Sequence, residues 1–214
     1  TNLSNPGSAG FCLRAKMFRF NNPNGTGKNT NPCFDSSPKF AERPSTIICT
    51  GFPFTYNHNA YDKELDSLTY AWDKPLEEFT GGTFTSTNPA AVGFAGGYSF
   101  TSPLPGLSQD PNNIPATINA QTGEISYTSF TQGNFVTVVK VTAFKCGQKV
   151  AEIYRELQVV LLPCGAGNNP PTITAPFPAN SYNKTVLAGD TVIFDLFAND
   201  PDLLPNGNLQ TVSI

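Results

Sequence analysis

Ala60-Tyr61-Asp62-Lys63-Glu64-Leu65-Asp66 recurs in shortened form as Ala198-Asn199-Asp200-Pro201-Asp202. The offset from Ala60 to Ala198 is 138 residues; it also carries Asn31-Pro32 onto Asn169-Pro170, Pro38 onto Pro176 and Gly51 onto Gly189. Phe54 and Tyr56 fall on Val192 and Phe194, so apolar positions stay apolar. A fixed period predicts an array of modules rather than a single domain. The second copy runs out by Ile214, so the array is expected to continue in a longer protein.

Composition narrows what each module is. Charged residues are only 14 % of the chain, whereas Gly and Pro number 18 and 19 and Phe 17. This is the profile of many short strands joined by Gly/Pro/Asn turns, not of a disordered or helical chain. A net charge of −3 with no basic cluster speaks against nucleic acid as a partner. No apolar run approaches the roughly 20 residues of a membrane-spanning helix.

Along the chain, Phe11, Leu13, Ala15 and Met17 alternate with Arg14 and Lys16. This reads as a strand closing a preceding module, which would occupy residues 1–28 with its linker. A complete module is expected over 29–164, with strands at Thr46–Cys49, Phe52–His58, Ser67–Trp72, Ala116–Ile118, Glu124–Thr128, Phe135–Phe144 and Ala151–Leu162. The last two, joined by Lys145-Cys146-Gly147-Gln148, form the strongest hairpin signal. Residues 165–171 form a Gly/Asn/Pro linker, and 172–214 begin a further module with a strand at Thr191–Phe197. The fold class is therefore all-β, in tandem β-sandwich modules, with Trp72 in a core.

Asp62, Glu64 and Asp66 stand at alternate positions after a strand, and Asp200 and Asp202 repeat them. Carboxylates crowded at one end of a module repel one another. A hard cation with oxygen ligands, above all Ca²⁺, would relieve that repulsion. Asn168 and Asn169 of the linker could add further oxygens. The plainer reading is a set of solvated turns.

Ala60-x-Asp62-x-Glu64-x-Asp66-x-Leu68-x-Tyr70 resembles the acidic loop of cadherin-like, immunoglobulin-like repeats. Ile118-Asn119-Ala120-Gln121-Thr122-Gly123-Glu124-Ile125 resembles their Thr-Gly turn. Cys49-Thr50-Gly51-x-Pro53-Phe54-Thr55-Tyr56-Asn57-His58, with Gly97-Tyr98-Ser99 and Arg155-Glu156-Leu157-Gln158-Val159-Val160-Leu161, is similar to the SprB-like gliding-motility surface adhesins of Bacteroidota. Where that family has Asp-Pro-Asp-Gly-Asp, this chain has Asp62-Lys63-Glu64-Leu65-Asp66, keeping the acids but losing the glycine. The resemblance implies type IX secretion and attachment at the bacterial cell surface. It also implies partnership with the secretion and motility machinery of the outer membrane, and with neighbouring repeats of the same polypeptide.

The cysteines are Cys12, Cys33, Cys49, Cys146 and Cys164; none forms a CxxC pair, and one histidine makes a zinc site improbable. In a seven-strand sandwich Cys49 and Cys164 fall at one pole and Cys33 and Cys146 at the other. The expected bonds are therefore Cys49–Cys164 and Cys33–Cys146, with Cys33–Cys49 as the rival and Cys12 left over. Disulfides point to an oxidising, extracellular setting. No nucleophile elbow or phosphate loop is present, and His58 reads as a structural or surface residue. The chain is expected to be non-enzymatic, an adhesive stalk segment. The alternative is a carbohydrate-binding or accessory module of a secreted multidomain protein, with Tyr98 and Phe100 as candidates to stack on a surface polysaccharide.

Overall fold

The structure is a computed structural model and describes residues 1–7, 12–22, 24–27, 34–44, 46–77, 89–164, 169 and 171–202. Cys33, Asn168 and Phe11 lie outside these residues. Regular structure among the described residues is β throughout, apart from one 3₁₀ turn at Pro178–Asn180. The chain divides into two compact units, Thr1–Pro163 and Cys164–Ile214.

The first unit is organised by its longest hairpin, β9 (Gly133–Lys145) and β10 (Gln148–Leu162). The turn between them places Cys146 at φ 48° and Gly147 at φ 76°. Two consecutive positive φ values match the right-handed twist of the strands they join. The other edge of β9 carries β6 (Ser67–Asp73), in register from Ser67↔Phe144 to Asp73↔Val138. The free edge of β10 carries two short strands. β1 (Ala15–Met17) pairs antiparallel with Ala151–Ile153, and β3 (Ile47–Cys49) pairs parallel with Val160–Leu162. A second sheet runs in the order β4 (Pro53–Asn57), β8 (Glu124–Thr128), β7 (Ile114–Ile118). The two sheets share one apolar cluster, to which Tyr70, Val139, Val141 and Leu161 contribute from the first and Ile125 and Tyr127 from the second. Trp72 packs half-buried against it. A small ribbon, β2 (Lys39–Phe40) with β5 (Ala60–Tyr61), leads into the acidic loop.

The described part of the amino-terminal segment falls within the same compact unit, Thr1–Pro163. The β6 ladder ends at Val138, leaving Val136 with free backbone groups on that edge. Asn2 supplies the partner. It is fully buried; its Oδ1 accepts from Val136 N at 2.8 Å, and its Nδ2 donates to the Val136 and Pro103 carbonyls at 2.7 Å each. A buried backbone group must find such a partner, and a side-chain amide mimics a strand. Leu3 and Val92 stand on the same side beside Val136, and Val138 and Thr142 are buried although they face away from the shared cluster. This explains the near-continuous β-branched run of β9, which a strand buried on one face alone would not need.

The facing of β1 is the reverse of the sequence reading. Leu13 and Met17 are exposed, while Arg14 reaches the Tyr154 hydroxyl (3.3 Å) and Lys16 the buried Glu152 (3.9 Å). The adjacent face of β10 offers a carboxylate, and opposite charges in register outweigh alternation in so short a strand.

Cys49 and Cys164 are disulfide-bonded. Cys146 is an exposed free thiol and Cys12 a half-buried one, so the Cys33–Cys146 and Cys33–Cys49 pairings are both corrected. Topology brings the end of β3 beside the end of β10, whereas Cys146 sits in a two-residue turn that projects from the sheet. In the second unit, β11 (Thr172–Thr174) pairs with β12 (Phe197–Asn199). The strand expected at Thr191–Phe197 begins only at Phe197, and Val192, Ile193 and Phe194 are exposed.

Candidate metal centre

Ribbon pairing of Phe40 with Ala60 and ladder pairing of Ser67 with Phe144 bring three acidic residues and one lysine to one end of the first unit. Asp62 leaves β5 and is 6 % exposed. Its Oδ1 accepts from Glu64 N (2.9 Å) and Asp66 N (3.2 Å), so the loop folds over its own carboxylate in an Asx turn. To make that turn, Leu65 takes φ 62°, in the left-handed region. Leu65 is 90 % exposed and packs on little. Leu65→Gly should therefore raise stability by about 0.5–1 kcal/mol, the left-handed penalty less the extra chain entropy of glycine. Urea denaturation checks this, and a fall in stability would count against a left-handed Leu65.

Asp35, Asp62 and Asp66 each place a carboxylate oxygen within 4.8 Å of the others. The Lys145 ammonium lies 2.9 Å from Asp35 Oδ1 and 3.3 Å from Asp66 Oδ2. Three carboxylates against one ammonium leave an excess of negative charge. Burial raises the Asp66 carboxyl above the ordinary aspartate range; the Lys145 contact opposes this, and the Asp35 and Asp62 charges add to it. Burial would lower Lys145, but its bonds to Asp35 and Asp66 prevail and hold it above the usual lysine range. Asp35 Oδ2 and Asp62 Oδ2 are buried with no hydrogen-bond partner among the described residues. Ca²⁺ takes oxygens at about 2.3–2.6 Å, so oxygens up to roughly 5 Å apart can share one ion. Spacing, charge and orphaned oxygens all fit a hard cation held by Asp35, Asp62 and Asp66.

Glu64 is not part of this cluster. It turns to Ser36, accepting from Ser36 Oγ (2.6 Å) and N (3.2 Å), and the hydroxyl holds its carboxyl below the usual range. Asp35 was missed by the sequence reading because its partner at the 138-residue offset is Ile173. The duplication that pointed to Asp62 therefore concealed it.

The second unit repeats the turn. Asp200 follows β12 and is 9 % exposed, and its Oδ1 accepts from Asp202 N at 2.9 Å, as Asp62 does from Glu64 N. Asp202 is held by Asn169, through its backbone N–H and through Nδ2 at 2.9 Å. Asn169, Asp200 and Asp202 thus form a hydrogen-bonded set of their own.

His58, beside the acidic loop in sequence, points the other way. It is fully buried, packed edge-on to Tyr56 and Phe40, with neither ring nitrogen bonded among the described residues. Burial, helped by the Arg155 charge, lowers its pKa to about 4. It lines a cavity of about 20 Å³ together with Tyr127 and Trp72. Tyr98 packs on Phe135 (5.8 Å between ring centres), and Phe100 lies under the Lys74 ammonium. No protein-family model and no curated protein matches the chain.

Proposed function

We propose that this chain is a structural and adhesive repeat segment of a long secreted bacterial surface protein, built of tandem immunoglobulin-like or cadherin-like β-sandwich modules stiffened by Ca²⁺. The recurrence of one local structure carries this reading. A short two-strand ladder runs into a buried aspartate that caps the amide two residues on, at Asp62 and again at Asp200. A module that repeats its turn chemistry, without a catalytic constellation repeating beside it, serves as a spacer. The Cys49–Cys164 bond supports an oxidising, extracellular location. The motif resemblance supports gliding motility and type IX export. The partners in this reading are neighbouring repeats and the outer-membrane machinery, with surface polysaccharide as the ligand of the complete protein.

Thermal unfolding under non-reducing conditions, in millimolar CaCl₂ against EGTA, tests the reading. A hundred-fold excess of ion over Kd stabilises by about 2.7 kcal/mol. That corresponds to a rise in Tm of roughly 5–10 °C for a unit of this size. Asp35→Asn and Asp62→Asn should each abolish the rise. Lys145→Met, which removes the resident counter-charge, should enlarge it. Equal melting in Ca²⁺ and EGTA would leave Lys145 as the only cation of the cluster and overturn the calcium-stiffened stalk.

A further inference from the structure

Leu157 and Val159 of β10 face the shared core, so Glu156 and Gln158 project from the opposite face of the same sheet. There they meet a groove of about 400 Å³. Val136 and Glu156 form part of its floor, Asn134 and Gln158 bring carboxamides to it, and Leu3 and Pro75 are among its apolar walls. The Glu156 carboxyl is half-buried and has neither hydrogen bond nor ion pair among the described residues. Burial alone raises its pKa to about 7. Among the described residues that line the groove, Glu156 is the one with an ionisable side chain.

A carboxylate partly stripped of water and given no counter-charge gains most from a ligand that brings one. The walls suit an alkyl stem, the floor a cation, and the carboxamides the remaining N–H donors. We infer that this groove is a socket for a lysine or arginine side chain of a partner polypeptide. The site lies apart from the acidic cluster and does not depend on the stalk reading. Its size falls within the range of small-ligand pockets, which pair apolar walls with a few placed polar groups. An aliphatic side chain of the same length would fill the walls but leave Glu156 unpaired, so charge sets the specificity.

The test is an amide NMR titration of the 1–214 chain with N-acetyl-lysine methylamide and N-acetyl-arginine methylamide. N-acetyl-norleucine methylamide serves as the uncharged stem and glucose as an uncharged polyol. The basic probes should give saturable shifts around Asn134–Val136 and Glu156–Gln158. Norleucine should bind at least about ten-fold more weakly. Affinity for the basic probes should rise from pH 6 to pH 8 as Glu156 ionises. Glu156→Gln removes an unpartnered carboxyl, so it should keep the amide spectrum of the fold while losing about ten-fold or more in affinity. Absence of saturable shifts with the basic probes would overturn the socket. So would equal binding of norleucine, unchanged binding by Glu156→Gln, or binding of glucose alone.

Discussion

Replacing Cys49 and Cys164 together by alanine should lower stability by about 5 kcal/mol, the figure the chain-entropy account gives for a closed loop of more than a hundred residues. The bond ties the end of β3 to the chain just beyond β10. Without it, β3 is held by a three-residue parallel ladder, the flanking bonds from Thr50 N to the Leu162 carbonyl (2.8 Å) and from Val160 N to the Thr46 carbonyl (2.6 Å), and burial of Ile48. A ladder that short, joining segments so far apart in sequence, cannot offset the entropy of closing the loop. Denaturant unfolding of the double variant, beside the parent with and without reductant, provides the comparison. The reduced parent should behave like the variant. A loss below about 1 kcal/mol would mean that the unfolded chain is already compact enough to make the bond redundant.

Gly123→Ala should cost about 3 kcal/mol. The turn Asn119–Gly123 is shaped by Asn119 Oδ1, which accepts from the amides of Gln121 (2.9 Å) and Thr122 (3.1 Å). It closes with Gly123 at φ 74°. A Cβ there would stand 2.5 Å from Cδ1 and Cε1 of Tyr70. Tyr70 cannot readily yield, since it is 6 % exposed and its hydroxyl donates to the Ala60 carbonyl at 3.3 Å. The left-handed backbone accounts for about 1 kcal/mol of the cost. Overpacking against the ring accounts for about 1–3 kcal/mol more. Gly147→Ala is the internal control, because Gly147 has a similar φ of 76° and nothing within 4 Å of its Cβ position. It should lose only the backbone part. Equal losses for the two variants would refute the contact with Tyr70.

The parts legible beforehand were those written in short-range patterns. β8 lies where its composition placed it, and β6, β9 and β10 differ from expectation only at their ends. The Thr-Gly turn was readable because positive φ selects glycine. Leu65 shows the limit of that rule: the same φ region is occupied by an exposed leucine, because the Asp62 carboxylate supplies the hydrogen bonds that hold the loop. The candidate centre was half legible. Asp62 and Asp66 stood out through spacing, but spacing says nothing of direction, and Glu64, between them, turns to Ser36.

By itself, the sequence determined an all-β chain with a duplicated acidic turn and a dominant hairpin, while the choice of Cys49–Cys164 over the rival Cys33–Cys49 came from the structure. Alternation, turn residues and period are local properties that survive without knowledge of neighbours. The tertiary structure alone decided which distant groups meet. Asn2 lies against Val136, Arg14 and Lys16 against β10, Asp35 beside Asp62 and Lys145, and Glu156 in a groove without a partner among the described residues. Each of these pairings depends on where a sheet edge ends or a hairpin tip projects. Those positions follow from the balance of backbone hydrogen bonds and burial over the whole unit, which no single segment encodes.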